Sequence, residues 1–189
     1  MKKYMNKYYK HIFVTSEVRD DVYDELINWL VSKCDSFSFC LPHFGKVVVT
    51  ESNAEIYPEY EIGYVEEDEE SKKDYELYRR KVQEYLKSIS EYIIENYVDT
   101  EYCETISGYE KEIFIIKFNN ITKKFLENVR DLYGWSYPDF PEDLSFYIDG
   151  KLYMRSIGHE RICEFYSESK ELKQFLKNND LQFYKLKYQ

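Results

Sequence analysis

The chain alternates between two hydrophobic periodicities, one typical of helices and one typical of strands. Apolar residues at spacings of three and four predict helices, whereas short β-branched and aromatic runs predict strands. The predicted helices cover residues 16–33, 69–98, 119–134 and 167–176. The predicted strands cover residues 11–15, 46–50, 55–65, 111–118, 144–148, 151–157, 161–166 and 181–188. Residues 34–45 are predicted to form a loop.

The longest predicted element is an amphipathic helix over about residues 69–98, which contains no glycine or proline. Its apolar stripe comprises Tyr75, Tyr78, Val82, Tyr85, Leu86, Ile89, Ile93 and Tyr97. A helix of this span would be about 40 Å long, so it would cross a face of the domain or protrude from it. Packing against the chain's own sheet is one use of the stripe, and a helix contact in a homo-oligomer is another.

Asp149 and Gly150 separate two predicted strands and form a strong turn signal, because this dipeptide tolerates the positive φ angles of a two-residue hairpin. Strands therefore come partly in hairpins rather than in strict alternation with helices. This pattern predicts an α+β fold with a mostly antiparallel sheet and helices packed on one face. A length of 189 residues predicts a single domain over 1–189, in which segment 51–78 is a protruding loop or the start of a helix.

Composition narrows the class of protein. Hydrophobic residues make up 43% and aromatic residues 19% of the chain, which is typical of a folded protein. No apolar stretch approaches the roughly 20 residues that span a bilayer, and the basic N-terminus is not followed by the apolar run of a secretory signal. We therefore expect a cytoplasmic protein with no membrane partner and no cofactor, whose four cysteines are thiols.

Charge is distributed unevenly along the chain. Residues 51–78 contain eleven acids and two bases, so this segment carries −9 of the net charge of −10. One interpretation is a solvated segment whose carboxylates stabilise the start of the next helix. The other is a contact surface for a protein partner with a basic surface, since acids steer such a partner and tyrosines supply contact area. The predicted partner-binding residues are Glu66, Glu67, Asp68, Glu69, Glu70, Tyr60, Tyr64 and Tyr75.

His159, Glu160 and Cys163 form an alternative catalytic group, because a cysteine nucleophile needs a base within hydrogen-bond distance. His159 follows a glycine at the end of a predicted strand, where catalytic groups are often presented. A polar turn is the simpler interpretation of this His-Glu pair. No nucleophile elbow or phosphate-binding loop accompanies these residues.

Two further groups are candidates for binding. Cys34, Cys40 and His43 offer zinc-ligand atoms, although their spacing is not that of a zinc knuckle or ribbon. Cysteine is often buried, so core packing is the simpler role for these thiols. An aromatic, proline-containing loop is an alternative binding loop, and its candidate residues are Trp135, Tyr137, Phe140 and Asp143.

These features favour a small acidic protein that acts by stoichiometric binding to another protein, as immunity proteins and phage inhibitors of host defence do. The bias towards residues with AT-rich codons, such as Tyr and Lys, indicates a bacterial or phage source. Net negative charge argues against direct DNA binding, although it suits a surface that mimics nucleic acid. The first alternative is a small hydrolase or nucleotide-processing enzyme that uses His159, Glu160 and Cys163. The second is a structural homo-oligomer formed through the long helix.

Overall fold

A computed structural model describes residues 11–49, 63–66, 69–102 and 105–186. In chain order, their strands are β1 (His11–Val14), β2 (Ser36–Val49), β3 (Gly63–Glu66), β4 (Ile93–Tyr102), β5 (Thr105–Lys117), β6 (Glu142–Ile148), β7 (Lys151–Ile157), β8 (Ile162–Phe165) and β9 (Phe183–Leu186). Their helices are α1 (Asp20–Val31), α2 (Glu69–Leu86), α3 (Asn120–Leu126) and α4 (Lys170–Asn178). Two 3₁₀ segments, Lys87–Tyr92 and Leu132–Gly134, complete the regular structure within these ranges.

The strands form one sheet in the order β4-β5-β2-β6-β7-β8-β1-β9, and β3 pairs with β2 off this path. Every pairing in the described ranges is antiparallel. The predicted α+β class with a mostly antiparallel sheet is therefore confirmed. Buried residues of all four helices belong to the same hydrophobic cluster, which also takes in alternate residues of the central strands. Packing of every helix on one face, and a single domain over 1–189, stay predictions.

The hairpin between β6 and β7 confirms the predicted turn. Asp149 and Gly150 have φ angles of 50° and 69°, the left-handed values that a two-residue turn of this type requires. Residues Ile148 and Lys151 pair directly across the turn. The sequence signal works here because the requirement is local and only a few residue types meet it.

Strand β2 replaces the loop that was predicted over residues 34–45, and this prediction was wrong. Phe37, Phe39 and Leu41 are fully buried in the main core, and they alternate with the small residues Ser36, Ser38 and Cys40. This period of two marks a central strand, which pairs with β5 on one side and β6 on the other. Proline lacks an N–H donor, and the register with β5 shifts between Pro42 and Val47.

The predicted helix over 69–98 is shorter than expected, because α2 ends at Leu86. A 3₁₀ segment follows, and residues 93–102 then form β4, which pairs along β5. Ile93 and Ile94 are β-branched and suit a strand, so pairing with the apolar strand β5 prevails over the helical spacing. Tyr78, Val82 and Ile89 of the predicted stripe are at most 2% exposed and pack within the chain's own core.

Side-chain caps set the starts of α3 and α4. Asn119 caps α3, and Thr122 completes a capping box, but the helix ends at Leu126 rather than near residue 134. Ser169 caps α4 through the backbone N–H of Leu172, two residues after the predicted start at residue 167. Helix α1 begins at Asp20 after Arg19, later than predicted and without a side-chain cap.

Of the predicted strand over 55–65, only the last three residues lie in the described part, where they belong to β3. Among the described helices, none combines the length and the apolar character needed to cross a membrane.

Candidate functional site

A group of two carboxylates and one imidazole lies at the start of β6. Glu142, Asp143 and His159 each place one potential ligand atom within 4.8 Å of the other two. Within the described ranges, this is the one group of three or more His, Cys, Asp or Glu residues close enough to share a metal ion. We call these three residues the acid–histidine cluster.

A distortion of the backbone brings the two carboxylates together. Neighbouring residues of a regular strand point to opposite faces of a sheet, so Glu142 and Asp143 would normally diverge. Asp143 instead has a φ of 60°, and the register between β2 and β6 shifts between Ser38 and Cys40. A bulge of this kind redirects one side chain, and here it leaves both carboxylates close to His159.

Gly158 fixes the turn that carries His159. A Cβ atom on Gly158 would lie 2.5 Å from the carbonyl oxygen of Trp135, so only glycine allows this approach. The backbone N–H of Gly158 lies near the Asp143 carboxyl and lowers its pKa. The turn between β7 and β8 is thereby packed against the segment at Trp135.

Polar neighbours hold the two carboxylates in place. The Nζ atom of Lys111 lies 3.8 Å from Oδ2 of Asp143, and both side chains are almost fully buried. The Cys40 thiol lies 4.0 Å from the same oxygen as a sulfur donor. The backbone N–H of Tyr137 donates to Oε1 of Glu142 at 3.2 Å. The cluster therefore has two buried carboxylates and one exposed imidazole, because the His159 side chain is 58% exposed.

Burial makes negative charge costly at this site. Loss of solvation raises the pKa of the Glu142 carboxyl, and the neighbouring Asp143 raises it further. Loss of solvation likewise raises the pKa of Asp143, whereas Lys111 and His159 lower it. One buried ammonium group thus faces two carboxyl groups, and the site favours a further positive charge or a proton.

The predicted aromatic binding loop is mostly packed into the core. Trp135 is fully buried, and Phe140 is half-buried against the main cluster. Tyr137 is 39% exposed and lies edge-on to Tyr78, with ring centroids 5.1 Å apart. Asp143 alone among the four predicted loop residues joins the acid–histidine cluster.

The three residues of the predicted catalytic group differ in exposure. His159 and Glu160 are exposed neighbours, with Nε2 of His159 3.7 Å from Oε1 of Glu160. Cys163 is 1% exposed, and burial raises the pKa of its thiol. A protonated, inaccessible thiol is a poor nucleophile, so the structure argues against this role for Cys163.

The cysteines of the predicted zinc group are buried in different clusters, Cys34 in the main core and Cys40 in a small cluster with Ile113. Burial raises the pKa of Cys34 to about 12, which disfavours the thiolate that binds metal. His43 lies in β2, and its side chain is outside the described part of the molecule.

The predicted partner-binding residues are only partly described. Glu69 and Glu70 are exposed in the first turn of α2. Tyr75 is partly buried against the main core, and burial raises the pKa of its hydroxyl. Tyr64 and Glu66 belong to β3, with side chains outside the description. Three more of these residues lie wholly outside the described ranges, namely Tyr60, Glu67 and Asp68.

Sequence reasoning missed Glu142 and Lys111. Glu142 was hidden because adjacent acids in a strand are expected to diverge, and a bulge at Asp143 has no distinct sequence signature. Lys111 carried a signal, since it is a charged residue at the start of an apolar strand and is 4% exposed. Comparisons with protein-family models, curated proteins and solved structures found no match for the chain.

Proposed function

We propose that the chain acts by stoichiometric binding to another protein that carries a basic surface, in the manner of an immunity protein or a phage inhibitor of host defence. The observation that carries the proposal is the concentration of charge, since residues 51–78 hold −9 of the net charge of −10. A potential of one sign on one segment accelerates association with an oppositely charged partner. The cytoplasm is the proposed location, because the buried cysteines stay thiols there.

Exposed acids on α2 support this proposal. Glu69, Glu70 and Asp74 are exposed, so this part of the charged segment faces solvent. Lys72 lies 3.1 Å from Glu69, an exposed pair that costs little to separate when a partner approaches. The proposed mimicry of nucleic-acid phosphates would use these exposed carboxylates to attract the basic partner surface.

A shallow groove beside these acids offers contact area. It has a volume of about 600 Å³ and lies between α2 and residues 137–139. Leu77, which is 62% exposed, and Tyr137 present apolar surface there. Aromatic and aliphatic contacts inside a charged rim are the usual composition of a protein interface. We therefore assign steering to the acids and contact to the groove.

The test begins with capture of partners from the lysate of the natural host at low and high salt. A captured protein is then purified, and its stoichiometry and affinity are measured by calorimetry. The test variant removes five charges by amide substitution, with Glu66→Gln, Glu67→Gln, Asp68→Asn, Glu69→Gln and Glu70→Gln. We expect a 1:1 complex that weakens by at least about tenfold at low salt in this variant and that depends less on salt.

A matched control removes five charges from other exposed positions, with Asp21→Asn, Glu25→Gln, Glu91→Gln, Glu171→Gln and Asp180→Asn. The control has the same net charge as the test variant, so a specific surface requires that it bind more tightly. If the partner binds the two variants with equal affinity, the loss of binding is due to overall charge and not to this surface. Affinity unchanged in both would refute the proposal.

A small hydrolase or nucleotide-processing enzyme is the second candidate, and the acid–histidine cluster favours it. An imidazole beside carboxyls of raised pKa supplies the two partners of general acid–base catalysis. In this candidate, His159 is the base, Asp143 orients it, and Cys163 has no role. His159→Ala should then abolish turnover of ester or nucleotide substrates while leaving the fold intact, because this side chain is exposed. No turnover by the native chain of any such substrate would exclude the enzyme.

A further inference from the structure

We infer that Glu142, Asp143 and His159 bind one divalent metal ion that accepts mixed nitrogen and oxygen ligands, as zinc does. The inference goes beyond stoichiometric binding, because none of its three ligand residues lies in segment 51–78 or lines the groove. Its basis is the placement of three metal-ligating side chains by three separate structural constraints.

Distance is the first argument. The three ligand atoms lie within 4.8 Å of one another, whereas tetrahedral zinc with bonds of about 2.1 Å holds its ligands about 3.4 Å apart. Closing the cluster therefore requires a movement of at most about 1.4 Å. The exposed side chain of His159 can supply part of that movement, while the N–H of Tyr137 holds Oε1 of Glu142.

Charge is the second argument. Glu142 is 8% and Asp143 is 2% exposed, and buried charges are costly unless a counter-charge is present. Lys111 supplies one positive charge from a distance of 3.8 Å. A cation bound between the two carboxylates would lower that cost.

The third argument is the chemistry of the donor set. One nitrogen with two oxygens favours zinc or a similar transition metal over magnesium or calcium, which prefer oxygen ligands alone.

Because these are three protein ligands, at least one coordination position remains for water or a substrate. A zinc site with three protein ligands and an open position is the arrangement of catalytic centres, whereas closed structural sites use four protein ligands. The ligand set is therefore that of an open metal site rather than of a closed structural one.

The experiment uses the untagged chain, freed of metal by a chelator and then dialysed. Zn²⁺ is titrated calorimetrically, and Co²⁺ is added separately because its visible absorption reports coordination. We expect one equivalent to bind, with at least about tenfold weaker affinity in His159→Ala and in Glu142→Gln. Glu25→Gln, an exposed acid on α1, is the control and should bind as the native chain does.

His159→Ala is the decisive variant, because an exposed side chain can be shortened without loss of the core. Thermal unfolding of each metal-free variant confirms that it is folded. Zn²⁺ and Co²⁺ bound equally well by His159→Ala would place the metal elsewhere and overturn the inference. Absence of binding up to millimolar metal would overturn it as well. Either result leaves the proposed protein partner unaffected, since that proposal rests on residues 51–78.

Discussion

The indole Nε1–H of Trp135 donates to the hydroxyl of Tyr23 at a distance of 3.0 Å. That hydroxyl donates in turn to the backbone carbonyl of Leu126 at 2.8 Å. Trp135 and Tyr23 are both fully buried, so the chain of two bonds ties α1, the end of α3 and the segment before the acid–histidine cluster together without water. Removing the shared hydroxyl would leave the buried indole N–H without its partner, whereas the carbonyl of Leu126 would keep the N–H of Val129 at 3.3 Å.

We therefore expect Tyr23→Phe to lower the free energy of unfolding by about 2 kcal/mol, since each buried unsatisfied group costs about 1–3 kcal/mol. Urea unfolding followed by tryptophan fluorescence measures the change. Tyr184→Phe is the control, because Tyr184 is 48% exposed, and it should change stability by less than about 0.5 kcal/mol. A loss of equal size in both variants would show that the bond chain contributes nothing specific.

Gly158→Ala should destabilise the fold by about 3 kcal/mol, because the new Cβ would meet the carbonyl oxygen of Trp135 at 2.5 Å and backbone atoms must move. Gly150→Ala provides the comparison. It has a φ of 69° but no atom within 4 Å of the new Cβ, so it should cost only the left-handed backbone penalty of about 1 kcal/mol. Thermal unfolding of both variants tests which of them is less stable. A smaller loss of stability in Gly158→Ala than in Gly150→Ala would contradict the close packing of this turn.

The described cysteines should resist alkylation in the native state. Cys34, Cys40 and Cys163 are at most 6% exposed, and burial raises the pKa of Cys34 to about 12. Reaction with iodoacetamide at pH 8.5, on a chain carrying Cys103→Ser, should modify none of the three within minutes. Addition of denaturant should release three reactive thiols. Rapid labelling of the native chain, located by mass spectrometry, would show that the core opens more readily than the structure indicates.

The raised pKa of the Cys34 thiol predicts that the fold loses stability at alkaline pH. An unfolded cysteine loses its proton near pH 8.5, whereas folded Cys34 keeps its proton up to about pH 12. The folded state therefore binds more protons within this window, and the free energy of unfolding falls as the pH rises through it. Cys34→Ala should unfold with a shallower pH dependence between pH 9 and 11, measured against the native chain. If the slope of the free energy of unfolding against pH is unchanged in Cys34→Ala, Cys34 is not the cause of the alkaline loss of stability.

Glu142→Gln should raise the stability of the metal-free chain at neutral pH. The amide removes a buried negative charge beside Asp143, and its oxygen still accepts the N–H of Tyr137. The folded-state pKa of Glu142 is raised above the pKa of an unfolded glutamate. As the pH falls towards the unfolded pKa, the folded chain therefore binds the proton first, and the stability difference between the native chain and the variant becomes smaller. Unfolding at pH 7 and pH 5 tests both points. A variant less stable than the native chain at pH 7 would contradict them.

Local signals account for the parts of the fold that the sequence predicts well. The turn at Asp149 and Gly150 and the cap at Asn119 depend on a few adjacent residues, so both are recognisable without the fold. Helical spacing alone could not reveal that residues 93–102 leave the helix, because that choice depends on pairing with β5. Phe37 and Phe39 did alternate with serines, yet Pro42 and Gly45, which follow them, obscured β2.

The acid–histidine cluster was predictable only in part. His159 and Asp143 were each recognised, but as members of different candidate groups 16 positions apart in sequence. Their contact depends on strand order and on a bulge, neither of which leaves a short-range pattern. Glu142 and Lys111 enter the site through the same long-range arrangement.

Strand β1 has consequences for the speed of folding. Its residue Ile12 pairs with Phe165 of β8 and with Lys185 of β9, so both of its neighbours lie far away in sequence. Long loops must close before these contacts form, and sheets with such distant pairings fold in milliseconds to seconds rather than microseconds. The β6–β7 hairpin needs no such search. The pairing of β1 is therefore the slower of the two contacts to form, because it requires the longer loops to close.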